Sequence, residues 1–270
     1  MVVRLWFVAA TTTIAATAFS QHIWLDVDGQ PLPFETDREL MEYMRTAEVV
    51  NERPIGIGIN RSVKVTLEQD GVRSNAIFRE VDVRRNMTSI DDVHYQLFAD
   101  SYLFECAAYE LATMIDLPRV PPAVLRTIGD RRGSLQIWLE DTLDEESDAF
   151  QPPTPREWVG QLWDMYFFDN LLYNIDRNLG NRLVTSDYRL WLIDHTRGFQ
   201  FKFDLLDDTM ARVPRRSWER LLALTENDLK NALENYLTPI EIGSILQRRN
   251  ALVEHVDNLI AARGEDAVFY

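Results

Sequence analysis

The sequence predicts an α+β protein of two lobes: an N-terminal half built on an antiparallel sheet with one helix, and a mostly helical C-terminal half. Three observations carry this. In residues 63–68, Val63, Val65 and Leu67 alternate with Lys64, Thr66 and Glu68, the period-two pattern of a strand with one buried face. The run WVGQLWDMYFFDNLLYNI from Trp158 is apolar around much of its circumference, with Trp158, Leu162, Tyr166 and Leu172 among its apolar positions, as expected of a buried central helix. Between them, TLDEESDAFQPPTPREW joins an acidic cluster to three prolines, the composition of an exposed linker. The expected division is residues 1–20 as a leader, 21–141 as the N-terminal lobe, 142–157 as the hinge and 158–270 as the C-terminal lobe.

Taken in order, MVVRLWFVAATTTIAATAFS places Arg4 before an apolar and Thr/Ala run that ends in small residues, the layout of a secretory signal peptide. Its apolar part, about fifteen residues, is short of the roughly 20 that span a bilayer. Export with cleavage near Gln21 is the expectation, and an N-terminal membrane anchor the alternative. IWLDVDG, PIGIGINRSVKVTLEQDG and RSNAIFREVDV read as strands. EQDG is turn chemistry, so residues 61–82 should form a hairpin. In DSYLFECAAYELATMIDLP, Leu103, Ala107, Leu111 and Met114 recur at helical spacing, with Pro118 at the exit. VPPAVLRTIGDRRGSLQIWLED gives two more strands. Helices are expected over 215–236 and 238–263, the second capped by Thr238 before Pro239.

Composition excludes several functions. With 43 acidic against 28 basic residues and a formal charge of −15, the chain is a poor partner for nucleic acid. Cys106 is the only cysteine, so no intramolecular disulfide or cysteine-built metal site is possible. The acidic run LDEESD lacks the spacing of a calcium loop and reads as solvated surface. In VPRRSWERL, three arginines invite either an anionic ligand or, more commonly, surface ion pairs.

The chemistry-bearing stretch is NIDRNLGNRLVTSDYRLWLIDHTRGF, residues 174–199. Asp176 and Asn181 stand five positions apart, the spacing of a catalytic aspartate and a metal-binding asparagine in a kinase catalytic loop. YRLWLID then alternates like a strand that returns Asp194 toward the same place. Transfer of a phosphoryl group from a nucleotide needs a carboxylate to orient the attacking group and hard oxygens to hold a divalent cation. The plain alternative is that these Asp, Asn and Gly residues serve only turns. His195 reads as a packing or hydrogen-bonding residue rather than a general base.

DRNLGN followed by LIDHTRGF resembles the catalytic and metal loops of the phosphatidylinositol-kinase-like fold. HipA-type and CotH-type kinases and the secretory-pathway kinases of the Golgi share that fold. AIFREVD resembles the family's third strand, FECAAYELATMIDLPRVPPAV its glutamate-bearing helix, and GSLQIWLE the strand entering the adenine hinge. The pieces stand in family order over roughly residues 54–199. The resemblance implies a kinase that uses ATP and Mg2+ (or Mn2+) to phosphorylate a hydroxyl on a protein, sugar or lipid. It makes Asp176 the catalytic aspartate, Asn181 and Asp194 the metal ligands, and Glu105 the helix glutamate. Arg79 takes the position of the usual phosphate-binding lysine, with Glu105 as its expected partner. Lys64 on the preceding strand is a candidate substitute for that lysine. Gly58 in GIGIN would belong to a phosphate loop or simply to a link between strands, and Trp138 would border the adenine pocket or belong to the core. A nucleotide-binding module without turnover and a nucleotidyl (AMP) transferase are the rival readings.

Overall fold

The structure, a computed structural model, describes residues 22–55, 62–90, 92–147, 150–152 and 154–270. The leader over residues 1–20 and Gly58 fall outside the described residues.

The N-terminal half opens with α1 (Asp37–Thr46). β1 (Glu48–Pro54), β2 (Val63–Gln69) and β3 (Val72–Arg79) follow, and β4 (Asp82–Ile90) and β5 (Val93–Ser101) form a separate two-stranded ribbon. Helix α2 (Leu103–Met114) leads to β6 (Ala123–Ile128) and β7 (Arg131–Ile137), which complete an antiparallel sheet ordered β1-β2-β3-β7-β6. β2 and β3 pair from Val63↔Phe78 to Gln69↔Val72 around Asp70 and Gly71. Both turn residues have positive φ, at 52° and 80°, the geometry for which an Asp-Gly pair is suited. Pleating sets Ala76 and Phe78 on one face of β3 and Ile77 and Arg79 on the other.

Five sequence expectations need correction. IWLDVDG makes only the isolated bridge Leu25↔Pro31, and the strand begun in RSNAIFREVDV ends at Arg79. TDRELMEYMRT, within the stretch read as strands, is instead helix α1. Its signal was a capping box: Thr36 Oγ1 accepts from Glu39 N, and the Glu39 carboxylate accepts from Thr36 N at 3.0 Å. The span 215–236 is two helices, α4 (Arg215–Ala223) and α5 (Glu226–Leu233), because Thr225 and Asp228 form a second capping box that restarts the chain. The central helix is buried all round only over its last six residues, 167–172.

That helix is α3 (Pro155–Leu172), entered after the two-residue strand β8 (Thr142–Leu143). Phe167, Phe168, Leu171 and Leu172 are fully buried, whereas Tyr166 is 38% exposed and Trp158 and Leu162 only partly covered. Left-handed Tyr173 (φ 53°) ends α3 and turns the chain into the 174–181 loop. β9 (Arg182–Thr185) and β10 (Leu190–Leu192) follow and pair with β8 in the order β10-β9-β8. α6 (Pro239–Arg263), capped by Thr238 and Glu241 as its sequence indicated, and the short α7 (Glu265–Val268) close the chain. From α6, the fully buried Arg248 donates Nε to Leu171 O (2.7 Å) and Nη1 to Gln200 O (2.9 Å) and Lys202 O (2.8 Å). Burial pushes its pKa down to about 9, with Tyr173 and Asp204 opposing only in part. This clamp fixes the end of α3 against the segment that follows Asp194.

Candidate active site

At the end of β3, Arg79 is only 3% exposed and points to the face on which the two halves meet. β7 approaches closely here because residue 133 is glycine: a Cβ there would lie 2.2 Å from Arg79 O. The Arg79 Nε lies 3.6 Å from Glu105 Oε1 and 3.8 Å from Asp194 Oδ1. Both distances exceed hydrogen-bond length, and Nε and Nη1 are buried with no hydrogen-bond partner.

Glu105, in the first turn of α2, is fully buried and also receives the backbone N–H of His195 on Oε1 (2.9 Å). Its Oε2 is 3.4 Å from His195 Nδ1. Burial alone would raise the Glu105 pKa; Arg79, together with the His195 contacts, overcomes it and holds the carboxyl below its ordinary value. The His195 ring lies edge-on to Phe168, and its Nε2 is buried without a partner. One helix glutamate therefore ties the arginine of β3 to the loop carrying Asp194.

Asp194 itself sits in the left-handed region (φ 54°), which aspartate adopts more readily than most non-glycine residues. It is held on both sides: Ile193 N donates to Asn181 O (3.1 Å), and Thr196 Oγ1 donates to Asp194 Oδ1 (3.1 Å).

The 174–181 loop is built from Asx chemistry. Asn178 Oδ1 accepts from Gly180 N (2.8 Å), and Asn181 Nδ2 donates to Asp176 O (2.6 Å), so Asp176 and Asn181 bracket one compact turn. Arg177 anchors it. Its Nε and Nη2 grip both oxygens of the buried Asp169 at 2.9 and 3.0 Å, and its Nη1 donates to Ile193 O (2.8 Å) and to Asn181 O. The Asp176 side chain remains 34% exposed, with Oδ2 3.5 Å from Arg197 Nη1. Its pKa is raised, chiefly by partial burial and further by Asp194, with Arg197 opposing.

Arg79, Glu105, Asp176, Asn181 and Asp194 thus stand in one neighbourhood. Trp138, just beyond β7, is half-buried, and Lys64 Nζ stacks over its ring at 4.1 Å. Lys64 lies 3.7 Å from Glu140, so its ammonium is directed at the segment just after β7 rather than at Asp194. Sequence reasoning did not single out Arg177, Arg197 and Asp100. Their ion-pair partners lie 8 to 97 positions away, and no local spacing announces them. Of the arginines in VPRRSWERL, Arg215 pairs with Glu265 and Arg216 with Asp116.

A cavity of about 620 Å³ opens beyond the 174–181 loop, walled by Asn174, Arg177, Asn178 and Leu179, with Val93 and Tyr95 of the ribbon opposite. Arg79, Asp176 and Asp194 do not line it, so the charged cluster rather than the cavity locates the site. Among the described residues, no three His, Cys, Asp or Glu side chains are gathered into a ready metal cage.

No family model matches the sequence, and no curated protein matches it. Solved structures do. Hydra Fam20, solved with sugar, superposes with a TM-score of 0.62 at 14% identity over 88% of this chain and 93% of that one. The Golgi casein kinase with Mn and ADP bound gives 0.61 at 15% identity over 86% of this chain and 78% of that one. A second structure of the Golgi casein kinase gives 0.59 at 16% identity, with the same coverage. The chain has the α+β fold of these atypical kinases.

Proposed function

We propose that this protein is a phosphotransferase that moves the γ-phosphoryl group of ATP, in the presence of Mg2+ or Mn2+, to a hydroxyl group. The convergence of Asp176, Asn181, Asp194, Arg79 and Glu105 within a kinase-like fold carries the reading.

The donor set fits a divalent cation. Asp194 and Asn181 offer hard oxygens. Around them, the carboxylates of Asp100, Glu105, Asp176 and Asp194 outnumber the guanidiniums of Arg79 and Arg197 by two. One carboxylate and one amide, completed by water and phosphate oxygens, match the habit of Mg2+. Arg79 fits a polyphosphate in the same way: its Nε and Nη1 make no hydrogen bond, although Nε faces the carboxylates of Glu105 and Asp194. The cation would supply charge neutralisation on the phosphates. The chain's own part is to position and to take a proton. Asp176 accepts the proton of the acceptor hydroxyl, Arg177 keeps its loop in register, and Glu105 holds Arg79 and the His195 backbone together. The sugar of the hydra Fam20 structure and the casein of the Golgi kinase's name support a sugar or protein hydroxyl as acceptor. The Mn and ADP of the latter support the cofactor pair. With residues 1–20 as a signal peptide, the enzyme would act after export.

A second reading, a nucleotide-binding protein without turnover, is favoured by arginine at the phosphate-binding position, since Arg and Lys are not interchangeable there. Incubation with α- or γ-labelled ATP and Mn2+ separates the readings. Label transferred from the γ position by the wild type and lost in Asp176→Asn is the expected result. Binding without transfer would favour the second reading, and α-label on protein would mean nucleotidyl transfer.

A further inference from the structure

We propose that Arg197 is a positioning residue for the reaction: spanning Asp100 and Asp176, it fixes the Asp176 carboxylate toward the acceptor, with Asp100 as its anchor. The inference rests on the phosphotransferase reading and assigns the ribbon β4–β5 a part in it.

Arg197 Nε donates to Asp100 Oδ2 at 3.0 Å, and its Nη1 lies 3.5 Å from Asp176 Oδ2. Asn178 Nδ2 reaches the other oxygen of Asp176 at 3.3 Å, so each carboxylate oxygen has one lateral contact and a remaining lone pair for a hydroxyl. Asp100 is 6% exposed, and its Oδ1 is buried with no hydrogen-bond partner. A buried carboxylate with an unsatisfied oxygen is costly, and surface ribbons ordinarily avoid one.

The chain around the pair is held on both sides. Ser101 N donates to Thr196 O (2.8 Å). Gln200 receives Ala99 N on Oε1 (3.2 Å) and returns Nε2 to Ala99 O (2.6 Å) and Arg197 O (3.1 Å). Arg197 therefore has little freedom to swing away, and the guanidinium is a fixed charge beside Asp176. These bonds also account for the ribbon's attachment at its β5 end, where it contacts the segment after Asp194. A ribbon that only covered surface would need neither a buried aspartate nor an arginine reaching the catalytic loop.

The test is steady-state hydrolysis of γ-labelled ATP with Mn2+ by the full chain, water serving as acceptor, alongside labelling of the chain's own hydroxyls. Arg197→Met should lower kcat by about 100-fold, the scale expected of a misplaced catalytic group, while KM for ATP stays within about twofold. Arg197→Lys should recover part of kcat. Asp100→Asn should lower kcat in the same direction, and the double variant should be no slower than Arg197→Met alone, because the two residues act as one unit. If Arg197→Met fails to fold, the Arg197→Lys and Asp100→Asn variants carry the same comparison. A kcat within twofold of wild type in the soluble variants, additive losses, or a rise confined to KM would overturn the assignment. Such results would leave the phosphotransferase reading intact. A wild type inactive with every nucleotide would overturn both.

Discussion

The two halves of the site are made in opposite ways. The Arg79–Glu105–His195 corner is sealed: the side chains of Arg79 and Glu105 are 3% and 0% exposed, and their charges are matched across α2, β3 and the loop after β10. The Asp176–Asn181 loop is a short Asx turn at the rim, with Asp176 34% exposed and steadied from outside by Arg177 and Arg197. A buried charge that loses its partner costs several kcal/mol, whereas a rim carboxylate is cheap to remove. The sealed corner should therefore govern stability and the rim should govern turnover.

The largest expected effect is on the sealed side. Glu105→Ala leaves the buried Arg79 with only the partly exposed Asp194 beside it and removes the acceptor of the His195 N–H, and should lower unfolding free energy by about 3–5 kcal/mol in urea titration. A loss under 1 kcal/mol would mean that water reaches Arg79 and that the contrast is false. On the rim, Asp176→Asn should cut turnover by about 10²–10⁴-fold, the range for a lost general base, while the urea midpoint barely moves. Substantial unfolding in that variant would place Asp176 in the structural class instead.

A pH comparison sharpens the same contrast. The folded-state pKa of Glu105 is depressed, so its contribution to stability is present above its ordinary value of 4.5 and is lost as pH falls through the lower folded value. The wild type should lose stability on acidification below pH 4.5, and Glu105→Gln, starting lower, should have a flatter acid limb. Arg79→Lys should have the smallest effect. Lysine keeps the charge but gives up the fork, so about 1–2 kcal/mol of stability should go, with nucleotide binding kept.

How far these features could be read beforehand follows from their range. Val63 to Glu68, the helix around Glu105 and the Thr238 cap declare themselves within a few residues, and the Asp176–Asn181 spacing does likewise. β4 was invisible because residues 82–90 are exposed along most of their length and carry no apolar alternation, whereas β5 was legible in principle from Val93, Tyr95 and Leu97 alternating with His94 and Gln96. α1 and the α4/α5 break were legible in principle, each through a Thr followed three positions later by Glu or Asp. Asp169 gripping Arg177, Asp100 holding Arg197, and Glu105 receiving His195 are products of folding. The residues are ordinary where they stand in the chain and acquire a role only through partners supplied by other elements.

The most direct measurement is a thermal and urea stability titration with Mn2+ and ATP, run on the wild type and on Asp194→Ala. A nucleotide held at the cluster of Asp176, Asn181 and Asp194 should stabilise the wild type by about 2.7 kcal/mol at 100 times its dissociation constant, and far less in the variant. No stabilisation of the wild type by ATP, GTP or ADP, with either Mg2+ or Mn2+, would contradict a nucleotide site at this cluster.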